Sequence, residues 1–193
     1  SFEEKDKIET SSKGPNDFVT NIDKDAEQAI INTIKKSYPE HCIVGEELGE
    51  QAGEDSDYLW IVDPLDGTTN FIKGIPHFCV SIALKVKGKL DQAVIYDPIR
   101  SELFTASRGA GAQLNGYRLR CSNSKEIEGT VLATGFPHKN KHQLDAYMEM
   151  FKTFFVDTSD IRRSGSAALD LAYVAAGRVD GFWEIGLKPW DTA

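Results

Sequence analysis

Residues 60–71 read Trp-Ile-Val-Asp-Pro-Leu-Asp-Gly-Thr-Thr-Asn-Phe, and this stretch decides how the first part of the chain folds. The apolar run at residues 58–62 predicts a short buried strand that delivers Asp63 at its end. Pro64 has no N–H for a sheet ladder, so we expect the strand to stop there. Gly67 and the two threonines after it favour a helix start. Asp63 and Asp66 are thereby predicted to converge on one point.

The turn between strand and helix carries oxygen atoms of the kind that hard cations bind. Two carboxylates, with the Leu65 carbonyl between them, match the ligand preference of Mg²⁺. The amides of Gly67 and Thr68 lie at the predicted helix start, where a phosphate binds well. The alternative is an ordinary turn, because Asp, Pro and Gly are common turn residues. The strand before the turn and the helix after it favour the metal and phosphate interpretation.

Around this stretch, the first part of the chain is predicted to be α+β. A helix is predicted over residues 23–38, with Thr20 forming a capping box and Pro39 ending the element. Alternating apolar residues predict a strand over residues 78–86 with one buried face. Further strands are predicted over residues 93–96, 102–106 and 113–119. Residues 1–121 are therefore interpreted as one domain with an antiparallel sheet.

After Cys121 the pattern changes to strands that alternate with helices. Strands are predicted over residues 130–133, 161–163 and 179–185, and helices over residues 144–155 and 167–176, the latter closed by Gly177. One face of the first helix is predicted from Leu144, Tyr147, Met148, Phe151 and Phe155. This order predicts a second, partly parallel α/β domain over residues 122–193. The chain is expected to stop inside this domain.

Composition narrows the classes of function. The chain of 193 residues has a formal net charge of −8, which disfavours bulk nucleic-acid binding but permits a phosphorylated substrate at a metal site. Three cysteines without a C-x-x-C pair indicate a reducing compartment, so we expect a cytoplasmic protein. No apolar run is long enough for a membrane span, and no membrane partner is expected.

Other acidic residues are weak signals when each is taken alone. Glu46 lies in a Gly-Glu-Glu stretch that could be a solvated loop. Asp23 could serve the helix macrodipole, and Asp191 could be a helix cap. Glu184 precedes a Gly-Leu-Lys-Pro-Trp segment that leads to Asp191.

Taken together, these residues resemble the inositol monophosphatase family over the whole chain. The Asp-Pro-Leu-Asp-Gly-Thr-Thr-Asn motif at residues 63–70 is the most specific feature, and Trp190-Asp191 is less specific. The bacterial SuhB-type members are the most similar, through the stretches at residues 17–21, 111–117 and 163–168. Members carry an additional N-terminal helix and continue past the Trp-Asp motif. The resemblance implies a layered αβαβα sugar-phosphatase-like fold, whose second, mostly parallel sheet is truncated here.

The resemblance also implies a set of site residues. One Mg²⁺ would be bound by Glu46, Asp63 and the Leu65 carbonyl, and a second by Asp63, Asp66 and Asp191. Glu46, Thr68 and Asp23 would be catalytic, with Thr68 and Asp23 orienting the attacking water. The phosphate would lie on Gly67 and Thr68, and the polyol pocket would be lined by Arg162, Ala167 and Glu184. Leu65, Asp66 and Asp191 would also contact the substrate.

The activity implied is hydrolysis of inositol monophosphate, with inhibition by lithium. A related sugar or nucleotide bisphosphate remains an alternative substrate. A non-catalytic role with transcription antitermination factors or RNA polymerase is a further alternative, and a homodimer is expected.

Two other patterns suggest chemistry only weakly. His77 and Cys79 lie two apart on a predicted strand, as a thiol–imidazole pair would. The Gly-Ala-Gly at residues 109–111 begins like a dinucleotide fingerprint but is interpreted as a turn, because Leu114 occupies the third glycine position.

Overall fold

The computed structural model describes residues 10–14, 17–138 and 140–193 of the chain. The strands are β1 (Thr10–Gly14), β2 (Asp17–Thr20), β3 (His41–Gly45), β4 (Gly49–Gln51), β5 (Asp55–Asp66), β6 (Cys79–Val86), β7 (Lys89–Asp97), β8 (Glu102–Ser107), β9 (Gly111–Leu114), β10 (Tyr117–Arg118), β11 (Val131–Thr134), β12 (Asp160–Arg162) and β13 (Gly181–Trp183). The helices are α1 (Asn21–Ser37), α2 (Thr68–Lys73), α3 (Leu144–Asp157), α4 (Ala167–Ala175) and α5 (Pro189–Thr192), with a 3₁₀ turn at Lys141–Gln143.

Most of the first part of the chain forms one eight-stranded sheet. Its strand order is β10-β9-β8-β7-β6-β5-β3-β4, and β1 pairs with β2 in a separate hairpin. The predicted meander is confirmed, because each pair from β5 to β10 is antiparallel. The exception is β3, which pairs with β5 in parallel, so the sheet is mixed. The second part forms a sheet of three parallel strands, which agrees with the mostly parallel sheet that was predicted. Their order is β12-β11-β13.

Five layers stack as expected, in the order helix, sheet, helix, sheet, helix. On one face of the large sheet, Ile31 and Ile34 of α1 pack in a cluster with Val62. On the other face, Leu169 of α4 packs in a cluster with Cys79. Helix α4 also contacts β11 and β13 of the small sheet. The remaining helix, α3, contacts the small sheet through Tyr147, which stacks on Trp183 of β13. Because α4 packs on both sheets, it fixes where they lie relative to each other; the boundary at residues 121/122 stays a prediction.

Strand β5 does not stop before Pro64, and that prediction was wrong. The strand continues to Asp66 in the interior of the sheet. Between Asp63 and Asp66, β5 has one more residue than the stretch of β6 that pairs with it. This extra residue is a β-bulge, which tolerates a proline because the local ladder is already interrupted. On the other side, the pairing with β3 has ended at Val62. The bulge keeps both aspartates on one continuous strand.

The ends of α1 and α2 follow local rules. The Thr20 side chain accepts a hydrogen bond from the Asp23 amide and the Asp23 carboxylate accepts one from the Thr20 amide, so the predicted capping box is confirmed. Helix α2 begins after Gly67, whose φ of +102° lies in the left-handed region. A Cβ there would also lie 3.1 Å from the His77 carbonyl oxygen, so glycine suits this position on both counts.

Several sequence predictions differ from the structure in detail. Strand β6 is covered on both faces rather than one, because α1 and α4 pack on opposite sides of the sheet. The predicted strand over residues 113–119 is split by a turn into β9 and β10, and the predicted strand over 179–185 shrinks to β13. On the predicted face of α3 only Tyr147 is fully buried, where it stacks on Trp183. Among the described residues, no helix is long and apolar enough to cross a membrane.

Candidate active site

A cavity of about 1010 Å³ opens where the β5 bulge, α2, the start of α4 and the chain before α5 come together. The bulge contributes Asp63 and Asp66, and α5 contributes Asp191. Glu46, from the turn after β3, also lines the cavity. The residues of the predicted metal loop and the predicted Trp-Asp motif are therefore brought to one place.

Three carboxylates form a close group in the floor of this cavity. One carboxylate oxygen from each of Asp63, Asp66 and Asp191 lies within 4.8 Å of the other two. Burial raises the pKa of Asp63 well above its ordinary value, and the charges of Asp66, Glu46 and Asp191 raise it further. A site that holds this much negative charge out of water is suited to a cation, which would remove the repulsion.

Asp66 is oriented by the beginning of α4. Its Oδ2 accepts a 2.6 Å hydrogen bond from the Ser166 hydroxyl and a 2.7 Å hydrogen bond from the Ala168 amide. Burial raises the pKa of Asp66 to about 6, and the hydrogen bonds from Ser166 and Ala168 oppose that rise. Ser166 is also the N-cap of α4, so one side chain caps the helix and orients the carboxylate.

Thr68 and Asp23 form a second arrangement behind the carboxylates. The Thr68 hydroxyl lies 3.1 Å from Asp23 Oδ1 and 3.1 Å from the Leu65 carbonyl oxygen, so it can donate its proton to either. Asp23 is almost fully buried, and its Oδ2 accepts from both the amide and the hydroxyl of Thr20. Thr68 lines the cavity, whereas Asp23 lies behind it.

Comparison with known proteins agrees with this geometry. A sequence profile described as the inositol monophosphatase family matches residues 1–193. The chain belongs to the inositol monophosphatase family. Nus factor SuhB of Escherichia coli K12 is 62% identical over 192 residues, a match that covers the whole chain and 72% of that relative.

Solved structures of this family share the fold. The extragenic suppressor protein suhB from Bartonella henselae superimposes with a TM-score of 0.96 at 49% identity, covering 100% of this chain and 74% of that one. A more distant structure, an IMPase/NADP phosphatase complexed with Mg²⁺ and phosphate, superimposes with a TM-score of 0.83 at 28% identity. That match covers 96% of this chain and 69% of the other.

The inositol monophosphatase resemblance placed three residues in a polyol pocket, and the structure brings two of them to the cavity. Ala167 and Glu184 line it, and Glu184 packs against Gly135, where any Cβ would overlap its carboxylate. Arg162 does not line the cavity and instead pairs with Asp160 on the surface. Its neighbour Arg163 lines the cavity, with its guanidinium 5.6 Å from the ring centre of Phe136.

Sequence reasoning missed other groups in the family site. Asp170 of α4 lines the cavity and accepts a hydrogen bond from the Ser164 hydroxyl, and burial raises the pKa of Asp170 to about 7. Glu184, which the sequence did predict, is in a similar environment, because burial and the charge of Asp191 raise its pKa to about 7. The Asn70 amide donates to the carbonyls of His77 and Ser164, at 2.7 and 2.9 Å. The helix cap Ser166 is visible in the sequence, but its contact with Asp66 spans 100 positions and has no local signal.

The weaker sequence candidates fall outside this site. Cys79 is fully buried, burial raises the pKa of its thiol, and neither Cys79 nor His77 lines the cavity. Gly109 and Gly111 both have positive φ values next to the turn between β8 and β9, in agreement with the turn interpretation.

Proposed function

We propose that this protein hydrolyses a small phosphomonoester, inositol monophosphate or a similar polyol phosphate, with Mg²⁺ as its cofactor. The observation that carries the proposal is the group of three carboxylates, Asp63, Asp66 and Asp191, beside Thr68 in one cavity. Membership of the inositol monophosphatase family supports the same class of reaction.

The donor set fits Mg²⁺. All the ligands offered are oxygens, from Glu46, the Asp63 carboxylate and the Leu65 carbonyl for one ion, and from Asp63, Asp66 and Asp191 for a second. Asp63 is the residue shared by both sets. Bound Mg²⁺ would supply Lewis-acid chemistry, lowering the pKa of the attacking water and neutralising charge on the leaving oxygen.

The chain's own groups would position the other reactants. Thr68, held by Asp23, would accept a hydrogen bond from the attacking water or donate one to it, and so fix the direction of attack. The amides of Gly67 and Thr68 would hold the phosphate oxygens on which charge develops. Since the water attacks the phosphorus directly, no covalent phosphoenzyme is needed.

The pocket beside the carboxylates would determine the substrate specificity. Glu184 would accept hydrogen bonds from polyol hydroxyls, and Ala167 would leave room for the ring. Because the same metal loop can serve a sugar or nucleotide bisphosphate, those compounds remain the alternative substrates.

Phosphate release from a panel of esters tests this proposal. The panel would contain inositol monophosphate, a hexose bisphosphate and a nucleotide bisphosphate, each assayed with Mg²⁺ and with a chelator. We expect Mg²⁺-dependent release, fastest from inositol monophosphate. Release that is equally fast with the chelator, or no release from any ester, would contradict the proposal.

A second candidate function is participation in transcription antitermination complexes. It is favoured by the name Nus factor carried by relatives that are 55–62% identical to this chain. We expect antitermination factors or RNA polymerase to be retained by the Asp63→Asn variant, which should lack hydrolysis. If purified antitermination factors and RNA polymerase bind neither this variant nor the unchanged protein, the candidate fails.

Two further expectations stay predictions. A homodimer is expected from the family resemblance, and sedimentation that shows only monomer at micromolar concentration would contradict it. A cytoplasmic location is expected from cysteine usage and would be checked by cell fractionation.

A further inference from the structure

Glu27 is a fully buried carboxylate that lies outside the cavity. It is on α1, its exposed fraction is 0%, and it is not one of the residues that line the site. Each of its two carboxylate oxygens accepts a hydrogen bond from a different backbone amide. Oε2 accepts a 2.9 Å hydrogen bond from the Glu47 amide, and Oε1 accepts a 2.8 Å hydrogen bond from the Leu48 amide.

The two amides belong to the turn that carries Glu46. This turn joins β3 to β4, whose last paired residues are Gly45 and Gly49. The Glu46 amide donates a 3.1 Å hydrogen bond to the Val62 carbonyl, next to Asp63 on β5. The turn is therefore held in two places, by β5 at Glu46 and by Glu27 at the two residues that follow.

Gly45 shows how closely the carboxylate packs against this turn. A Cβ added at Gly45 would lie 2.0 Å from Glu27 Oε1, 2.4 Å from its Cδ and 2.8 Å from its Oε2. Any side chain at Gly45 would push the carboxylate away from the two amides. The absence of a side chain there is explained by the position of Glu27.

We propose that Glu27 is a positioning residue for the metal site, because its carboxylate fixes the 46–48 turn and so directs the Glu46 side chain into the cavity. This inference rests on the proposed function, in which Glu46 binds Mg²⁺. Groups that orient metal ligands typically change metal affinity by roughly tenfold or more when they are altered.

The chemistry of the contact explains why a glutamate is needed. Two N–H donors point at two oxygens, and a carboxylate is the side chain that offers an acceptor to each. Glutamine has the same shape but would present its NH₂ group to one of the two amides. Glu27→Gln should therefore keep one hydrogen bond, break the other and loosen the turn with little change in packing.

The experiment measures Mg²⁺ binding to the full chain by titration calorimetry, with the Mg²⁺ dependence of phosphate release alongside it. We expect Glu27→Gln to weaken Mg²⁺ binding roughly tenfold. At saturating Mg²⁺ its kcat should stay close to that of the unchanged protein. Gln28→Ala is the matched control, because Gln28 is the next residue on α1 and its exposed side chain donates a hydrogen bond to the exposed Asn32. The control should bind Mg²⁺ as the unchanged protein does.

Gly45→Ala tests the same contact from the other side. It should also weaken Mg²⁺ binding, whereas adding it to Glu27→Ala should cost little more, because the two changes break one shared contact. Hydrogen exchange at the Glu47 and Leu48 amides should speed up in Glu27→Gln but not in Gln28→Ala. If Glu27→Gln did not fold, Mg²⁺ binding and amide exchange in Gly45→Ala alone would decide the question.

Unchanged Mg²⁺ binding and unchanged exchange in Glu27→Gln, or simple additivity in the double variant, would overturn the inference. Failure of the proposed function looks different. In that case the unchanged protein would release no phosphate, while weaker Mg²⁺ binding by Glu27→Gln would still support the positioning role.

Discussion

The Thr68 hydroxyl lies 3.1 Å from the Asp23 carboxylate, although the two residues are 45 positions apart. Asp23 is in the first turn of α1, and its other oxygen completes the capping box with Thr20. One carboxylate therefore links the start of a structural helix to a residue of the cavity. The arrangement explains how α1, which lies behind the large sheet, can influence the site.

We expect Asp23→Asn to lower kcat by about a hundredfold, because an amide has one acceptor oxygen where the carboxylate serves both Thr68 and Thr20, so the Thr68 hydroxyl is no longer fixed. The Mg²⁺ dependence should not change, since the hydrogen bonds of Asp23 join it to Thr20 and Thr68 and not to a proposed metal ligand. The variant should also lose about 1 kcal/mol of unfolding free energy through the cap. Thr68→Val removes the hydroxyl without touching the cap, so it should be slow but stable.

Asp25→Asn, on the exposed side of α1, is the control. Equal rates for Asp23→Asn and the control would refute this role.

Asp63→Asn should abolish hydrolysis while it leaves the fold intact. The amide has almost the shape of the carboxylate, so packing on β5 should survive, but both proposed metal sets lose their shared ligand. We expect a rate loss of at least about a thousandfold, or about 4 kcal/mol of transition-state stabilisation. Near-normal turnover at saturating Mg²⁺ would show that the two-metal assignment is wrong.

The same variant makes a prediction about pH and the stability of the metal-free protein. The pKa of Asp63 is well above its ordinary value and that of Asp66 is about 6, so both carboxylates cost stability when ionised. This cost is present above those pKa values and is relieved as the pH falls through them. Asp63→Asn should therefore stabilise the metal-free protein more at about pH 8 than at about pH 5. Denaturant unfolding in a chelator measures the difference.

The ion pair between Glu102 and Arg178 should stabilise the packing of α4 on the large sheet. Both guanidinium Nη atoms contact the carboxylate, at 2.5 and 2.6 Å, and this contact lowers the pKa of Glu102. The pair is partly exposed, so we expect Glu102→Gln to cost about 1 kcal/mol near neutral pH. The effect should vanish as the pH falls through the lowered pKa, where the unchanged carboxyl is protonated too. Glu149→Gln, at an exposed ion pair, should change nothing measurable. A pH-independent loss would contradict an electrostatic origin.

Two adjacent arginines provide a matched test of the substrate pocket. Arg163 lines the cavity and its charge lowers the pKa of Glu184, whereas Arg162 pairs with Asp160 at the surface. We expect Arg163→Ala to raise KM for inositol monophosphate about tenfold, the effect of losing about 1.4 kcal/mol of binding. Arg162→Ala should leave KM unchanged. If steady-state kinetics showed a raised KM for Arg162→Ala and an unchanged KM for Arg163→Ala, Arg162 would be the pocket residue instead.

Ca²⁺ should fail to replace Mg²⁺ in the assay. Ca²⁺ is larger and prefers more ligands than the three-carboxylate group offers, so it should bind without aligning the reaction. Li⁺ should inhibit, because a small monovalent ion can occupy a carboxylate site while supplying less charge. Full activity with Ca²⁺ alone, or insensitivity to Li⁺, would argue against this site.

Much of the site could be predicted from local sequence. The Asp63–Asn70 motif, the Thr20–Asp23 capping box and the glycine before α2 each depend on a few neighbouring residues. Short-range hydrogen bonding and backbone freedom are properties of the local chain, so these features are visible without a fold. The end of β5 could not be predicted in this way, because the bulge that accepts Pro64 exists only where β6 lies beside it.

Tertiary packing decided which distant groups meet. Asp191 joins Asp63 and Asp66, Ser166 bonds to Asp66, and Arg163 rather than Arg162 faces the cavity. Glu27 has an ordinary place in a helical pattern, yet it is fully buried against the turn that carries Glu46. These contacts depend on how α1 and α4 pack on opposite faces of one sheet. Helix packing is set by the summed burial of many apolar side chains, so no short stretch of sequence encodes it.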